Sequence, residues 1–369
     1  MSILLVIIIF SILVVAHEFG HFIAARQAGV KVERFAIGFG PALLKIRRKE
    51  TDFLICLFPL GGYVKMAGDT KTEHTGLPYE FLSKSPGVKM RIVFAGPLFN
   101  YILALVIFWI IAVLGFPYQD TIVGKVLDGY PAQAAGIKEK DKIIKINGVR
   151  VEDWQEMAEL IRKAEGAVKL TILRNGVTMM VDIPLEKKEI VDNFGIKRRA
   201  SVIGIVASSE VKFVKYSLPQ AFFKGFEKVF SSTLLILKGL VFIFSGALPF
   251  KEAVSGPIGI YYITSETVKV GLSATLLLMA GLNVTLATIN LFPMPVLDGG
   301  HILFFFIERL RKKPLEERIE DFLTRIGIVL ISLLVIFVFY NDIKRFGPRI
   351  LDWKKFNPKT SAEKSVPKE

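Results

Sequence analysis

Four stretches of this chain contain no Asp, Glu, Lys or Arg: residues 1–16, 92–116, 271–297 and 326–340. Nothing else in the sequence restricts the fold as much, because a bilayer core about 30 Å thick is crossed by roughly 17–25 apolar helical residues. Residues 2–24 have that length, with His17, Glu18 and His21 close to the end. A retained helix is expected rather than a signal peptide, since there is no basic n-region and the apolar core exceeds the usual length of about 7–15 residues. Residues 92–116 and 271–297 suffice as they stand. The last stretch reaches spanning length over 322–341, with Phe322, Leu323 and a snorkelling Arg325 added. Pro97 is expected in the first turns of the second span, where its missing N–H is tolerated. The expected fold class is a polytopic α-helical membrane protein with four transmembrane helices and a small α+β insert.

Charge gives the direction of these spans. The chain has 369 residues, 52% of them hydrophobic, with mean hydropathy +0.47 and net charge +14. Disorder, collagen-like repeats and a purely soluble enzyme fit that balance poorly. The basic excess forms no stripe with interleaved aromatics, so membrane lipid is the expected partner and nucleic acid is not. A lone Cys56 leaves no intramolecular disulfide and no cysteine-ligated zinc finger. Residues 25–91 carry twelve Lys or Arg against six acidic residues, which places them in the cytoplasm and the N-terminus outside. The basic 299–325 connection agrees as a second cytoplasmic loop. The eight Lys or Arg of 342–369 do not, because four spans leave that tail outside. Residues 229–250 are a fifth apolar candidate, but inserting Lys238 would cost roughly 2.5–3.5 kcal/mol. They are expected to lie at the outer surface as an amphipathic helix.

Residues 121–186 follow another pattern. Apolar alternation suggests short strands turning at Asn147-Gly148 and Asn175-Gly176, while Trp154, Met157, Leu160 and Ile161 share one face of a helix over 153–164. The run YPAQAAGIKEKDKIIKINGV, followed by a helix and two strands, resembles a bacterial PDZ domain. Lys140 stands where Gly usually precedes the Asp. The resemblance implies a sheet edge that takes a peptide C-terminus, with a steric lid or spacer as the alternative. The expected organisation is a first membrane half at 1–116, including a cytoplasmic loop with a hairpin at 25–91, and a PDZ-like insert at 117–190. A connector with the interfacial helix follows at 191–270, then a second membrane half at 271–343 and a polar tail at 344–369.

Chemistry concentrates at His17-Glu18-Phe19-Gly20-His21. On a helix the two His share a face and can hold one zinc, with Glu18 beside a metal-bound water. Three ionisable groups inside a spanning helix are expensive and point to function. A catalytic zinc takes three protein ligands and keeps one position open. Asp298 is the better third candidate, being the first charge after 27 uncharged residues and following Pro293 and Pro295, which break the helix. His301 could ligate instead, though a supporting hydrogen bond to a ligand suits it better. His74 lies in a charged loop and reads as a solvated residue. With 229–250 on the surface, the third span runs outside to inside and delivers Asp298 to the side where His17 lies, about 22 Å along its helix.

HEFGH, GFGPALLKI at 38–46, PLGGYVKMAGD at 59–69, AGPLFNYILA at 95–104 and NLFPMPVLDGGH together resemble the site-2 intramembrane zinc proteases, in their bacterial sigma-factor-regulating (RseP-like) branch. The resemblance implies one Zn2+ held by His17, His21 and Asp298, with Glu18 as general base and Asn290 hydrogen-bonding near the scissile peptide. It also implies a cytoplasmic-side hairpin, Gly61, Gly62, Tyr63, Val64 and Lys65, that pairs with an extended transmembrane substrate. From the residues alone this is equally an ordinary surface hairpin. The implied setting is the bacterial cytoplasmic membrane, with the N-terminus and insert extracytoplasmic. The rival reading is a membrane-anchored PDZ scaffold with a structural metal site closed by a fourth ligand.

Overall fold

The computed structural model describes residues 2–191 and 197–351. It opens with helix α1 (Ser2–Gln27), strands β1 (Val32–Arg48) and β2 (Thr51–Met66), and helix α2 (Pro86–Leu114). There follow β3 (Phe116–Gln119), β4 (Val123–Val126), α3 (Pro131–Ala134), β5 (Lys142–Ile146), β6 (Val149–Arg150) and α4 (Trp154–Lys163). Next come β7 (Ala167–Arg174), β8 (Val177–Pro184), β9 (Glu186–Val191), β10 (Lys197–Val202), β11 (Ile205–Ala207) and β12 (Val211–Val214). The chain then runs through α5 (Leu218–Phe244), α6 (Phe250–Ala253), α7 (Pro257–Val270), α8 (Leu272–Asn290), α9 (Asp298–Arg311) and α10 (Glu317–Leu351). Two compact units result, one of residues up to Trp109 with Phe222–Val241 and Pro249 onward, the other of Ile110–Ala221 with Phe242–Leu248.

In the first unit, four helices are long and apolar enough to cross a membrane: Leu4–Gln27, Pro86–Leu114, Leu272–Asn290 and Arg318–Phe346. Three depart from expectation. Helix α2 starts at Pro86 rather than 92, so Pro97 lies inside it and not in its first turns. A proline there leaves the Val93 carbonyl without its helical donor, which neighbouring helices make tolerable. Helix α8 ends at Asn290 instead of 297, because neither Pro293 nor Pro295 can donate to a continuing helix. The turn that follows needs two glycines: a Cβ at Gly299 would fall 2.3 Å from the Leu291 carbonyl oxygen, and one at Gly300 2.2 Å from that of Met294. Helix α10 outruns 322–341 and takes in the start of the expected tail, which from 352 lies outside the described residues. Helix α5 is continuous and longer than the expected 229–250 segment, and it is not one of the four.

The hairpin is also larger than expected. Strands β1 and β2 both bend, so that residues 34–37 lie between 52–55 on one side and 62–65 on the other, leaving 61–66 along an edge. Phe22, Phe35 and Phe53 pack ring against ring where this sheet meets α1.

In the second unit, β6, β5, β7 and β8 form one sheet in that order. Val123, Ile143, Leu170, Ile172 and Ile183 fill its core, together with Met157 and Ile161 from α4. Both Asn-Gly turns form, with φ of 49° at Asn147 and Asn175 and of 84° and 80° at the following glycines. The Asp153 side chain accepts from the Glu156 N–H and so starts α4. Of the connector expected at 191–270, the described residues up to Ala221 group with this unit. Strand β11 pairs with β4 and β12 with β3, so the insert closes with strands from both of its ends.

Candidate metal centre

One helical turn of α1 sets His17 and His21 side by side, with their Nε2 atoms 3.2 Å apart. Asp298, the first residue of α9, reaches them from the end of the irregular 291–297 turn. Its Oδ2 lies 3.1 Å from His17 Nε2 and its Oδ1 3.6 Å from His21 Nε2. One potential ligand atom from each of the three lies within 4.8 Å of the others. This is the one such cluster among the described residues, and it has no fourth member.

Close crossing of α1 and α2 makes the cluster possible. A Cβ at Gly20 would stand 2.2 Å from the Ala95 carbonyl oxygen. At Gly96 it would stand 2.3 Å from His21 Nε2 and 2.9 Å from His17 Cε1. Only glycine at 96 leaves room for both rings. His21 Nδ1 donates to the Ile92 carbonyl at 3.0 Å, which fixes the tautomer and turns the Nε2 lone pair into the cluster. The Asn100 amide lies 3.3 Å from His17 Nδ1.

These residues fit a divalent cation. Two imidazole nitrogens and a carboxylate are a borderline-soft donor set with room for a further ligand, as zinc prefers. Asp298 Oδ2 is buried without a hydrogen-bond partner, a costly state that a cation would relieve.

Glu18 and Asn290 border the cluster. The Val64 backbone N–H donates to Glu18, and a Cβ at Gly62 would lie 3.3 Å from Glu18 Cγ. The segment Gly61, Gly62, Tyr63, Val64 and Lys65 therefore runs against α1 at this residue. Asn290, the last residue of α8, holds Nδ2 3.5 Å from His17 Nε2. His301 stands outside the cluster. It makes ring contacts with Phe304 and Phe305 and no hydrogen bond to His17, His21 or Asp298. His74 pairs with Glu80 at 2.8 Å and takes no part. Sequence reasoning missed Gly96, the Ile92 carbonyl and the contact of Asn100 with His17. The available signal was a single strongly polar side chain, Asn100, inside the uncharged 92–116 run.

The chain is similar to known proteins over most of its length. The profile of peptidase family M50 matches residues 5–334. Zinc metalloprotease RasP of Oceanobacillus iheyensis is 30% identical over 420 residues, covering 92% of this chain and 98% of the relative. Its namesake in Geobacillus kaustophilus is 31% identical over 424 residues, covering 94% and 98%. Among solved structures, the PDZ domain of the SdrC-like protein of Listeria monocytogenes is 26% identical and covers 24% of this chain and 88% of that chain, with a TM-score of 0.20.

Proposed function

The chain belongs to peptidase family M50 and is a zinc metallopeptidase, and from that premise we propose that it cuts the transmembrane segments of membrane proteins. The observation that carries this reading is the position of the His17, His21 and Asp298 cluster, whose residues come from one of the four helices and from the end of the turn that follows another. Those three residues would hold Zn2+, which when bound activates water and polarises a peptide carbonyl. A three-member cluster favours catalysis over the scaffold reading, since structural zinc sites are closed by four ligands.

The chain's own groups do the rest. Glu18 takes the proton of the attacking water and passes it to the leaving amine. Asn290 donates its amide N–H to the carbonyl oxygen as charge grows there. An intact substrate helix hides its carbonyls in its own hydrogen bonds, so it must unwind locally. The unwound strand adds to the Gly61–Lys65 edge, which brings it past Glu18. The orientation is that of the bacterial cytoplasmic membrane, with the metal near the cytoplasmic face and the insert outside. In the insert, a cavity of about 280 Å3 between α4 and residues 201–205 receives a peptide C-terminus. Suitable substrates are anti-sigma factors or signal-peptide remnants already trimmed by an earlier extracytoplasmic cut.

Mass-spectrometric mapping of cleavage sites in a single-span protein, co-reconstituted with the purified chain in liposomes, tests the proposal. Termini inside the apolar segment are expected; cuts confined to the flanking soluble sequence would overturn it.

A further inference from the structure

A second cavity, of about 730 Å3, lies between the start of α2 and α9. Its lining combines Ser85, Gly87, Arg91 and Arg309 with apolar Met90, Phe94 and Ile302. Both arginines converge on Gly87. Arg91 Nε donates to the Gly87 carbonyl at 3.4 Å, and a Cβ at Gly87 would lie 3.4 Å from Arg309 Nη1. The neighbouring Lys89 is fully engaged, with Glu308 at 2.9 Å and the Phe305 ring at 4.4 Å. Among the described residues, neither arginine has a carboxylate partner. The uncharged run of α2 begins immediately after Arg91, so this arginine stands at the edge of the apolar span.

We propose that this cavity binds an anionic phospholipid, with the headgroup phosphate between Arg91 and Arg309 and an acyl chain along Met90, Phe94 and Ile302. Two unpaired guanidiniums form a bidentate phosphate site, and the apolar lining suits a hydrocarbon tail. The bound lipid bridges α2, whose Ile92 carbonyl orients His21, to α9, which begins at Asp298. It therefore clamps the two elements that set the metal cluster.

The test uses the full chain, purified and reconstituted in phosphatidylcholine vesicles with or without phosphatidylglycerol, with retained lipid measured by mass spectrometry after detergent extraction. The wild type is expected to retain phosphatidylglycerol in preference to phosphatidylcholine. R91Q and R309Q should each weaken retention about fivefold, with unchanged zinc content and melting temperature. Equal retention by the double variant, or no preference for phosphatidylglycerol, would overturn the proposal. Displacement of the lipid by soluble glycerol phosphate would also overturn it, since that outcome makes the site one for a free anion.

A separate observation concerns Asn100. Its side chain is fully buried, and Oδ1 has no partner although the amide lies 3.3 Å from His17 Nδ1. An orphaned buried amide oxygen is costly. To hold a cation through Nε2, His17 must carry its proton on Nδ1, and that N–H then needs an acceptor. We infer that with metal held by His17 the Asn100 amide presents Oδ1 as the acceptor for His17 Nδ1–H, and that Asn100 is a positioning residue for His17.

Chelator competition for zinc with the purified full chain tests this through two variants. Asn100→Leu offers no acceptor and should weaken zinc binding about 10–100-fold. Asn100→Asp can only accept, and should bind zinc within a few-fold of the wild type with the same Co2+ absorption spectrum. Loss of zinc by Asn100→Asp as severe as by Asn100→Leu would contradict the inference, as would unchanged affinity in Asn100→Leu.

Discussion

Both units bury polar side chains, and they treat them in opposite ways. In the insert, Asp141 accepts from Arg174 Nε at 2.7 Å, from Arg174 Nη2 at 2.6 Å and from the Lys138 N–H at 2.8 Å. Burial pushes its carboxyl up, but the Arg174 and Lys138 hydrogen bonds outweigh that and hold it below the usual carboxylate range. Thr121 and Ser201 are likewise satisfied, by the Ile143 and Ala164 carbonyls. In the first unit, Asp52 Oδ1, Asn100 Oδ1, Thr264 Oγ1, Asn283 Oδ1 and Asp298 Oδ2 are buried without partners. Of these, Asp298 and Asn100 flank the His17 and His21 cluster, where an unsatisfied polar atom is one that a ligand can satisfy.

The contrast makes two opposite predictions. Asp298→Ala should abolish stoichiometric zinc binding by metal analysis yet change the melting temperature of the zinc-free protein little, because the carboxylate faces two imidazoles and its Oδ2 accepts no hydrogen bond there. Destabilisation of the zinc-free protein would break the comparison from the membrane side. Arg174→Leu should do the converse. It leaves Asp141 buried with one N–H partner, which costs the insert about 3–5 kcal/mol in denaturant unfolding while zinc content stays whole. A loss below about 1 kcal/mol would show that this pair is not what fixes the insert.

These differences also explain what could be read from sequence. HEFGH was legible because four-residue spacing on a helix has one geometric meaning, and Asp298 because a charge after 27 uncharged residues stands out. Gly96 and the Ile92 carbonyl were not. Their roles depend on how closely α2 crosses α1, and a glycine or a backbone oxygen leaves no chemical trace of that. Pro293 and Pro295 announced a helix break before Asp298, but its place at Asn290 was not legible, because the apolar run continues to Leu297. The pairing of β11 and β12 was not legible because their partners, β4 and β3, lie about 80–100 residues earlier. Lys140, which stands where the PDZ pattern has Gly, has a φ of 70°, a conformation that favours glycine.

Smaller effects sharpen the same comparison. Lys140→Gly should stabilise the insert by about 1 kcal/mol in the same unfolding assay, with no change in zinc binding. Not every carboxylate of the first unit is left open. Glu80 accepts from the Thr75 hydroxyl and from the N–H groups of Thr75, Gly76 and Leu77, which hold its carboxyl down at about 2. A depressed carboxyl contributes stability above its ordinary value near 4.5 and loses it as pH falls towards about 2. Hydrogen-exchange protection at the 75–77 amides should therefore hold down to about pH 4.5 and disappear across that window. Loss of protection well above that window would show that Glu80 does not control this loop.

The central claim is that three side chains hold the metal while a fourth, Glu18, moves protons. Glu18→Gln keeps the size of the side chain and removes its basicity. Measured together on the reconstituted enzyme, zinc stoichiometry should remain at one per chain while turnover of a transmembrane substrate falls by at least about a hundredfold. Undiminished turnover with zinc in place would contradict the account.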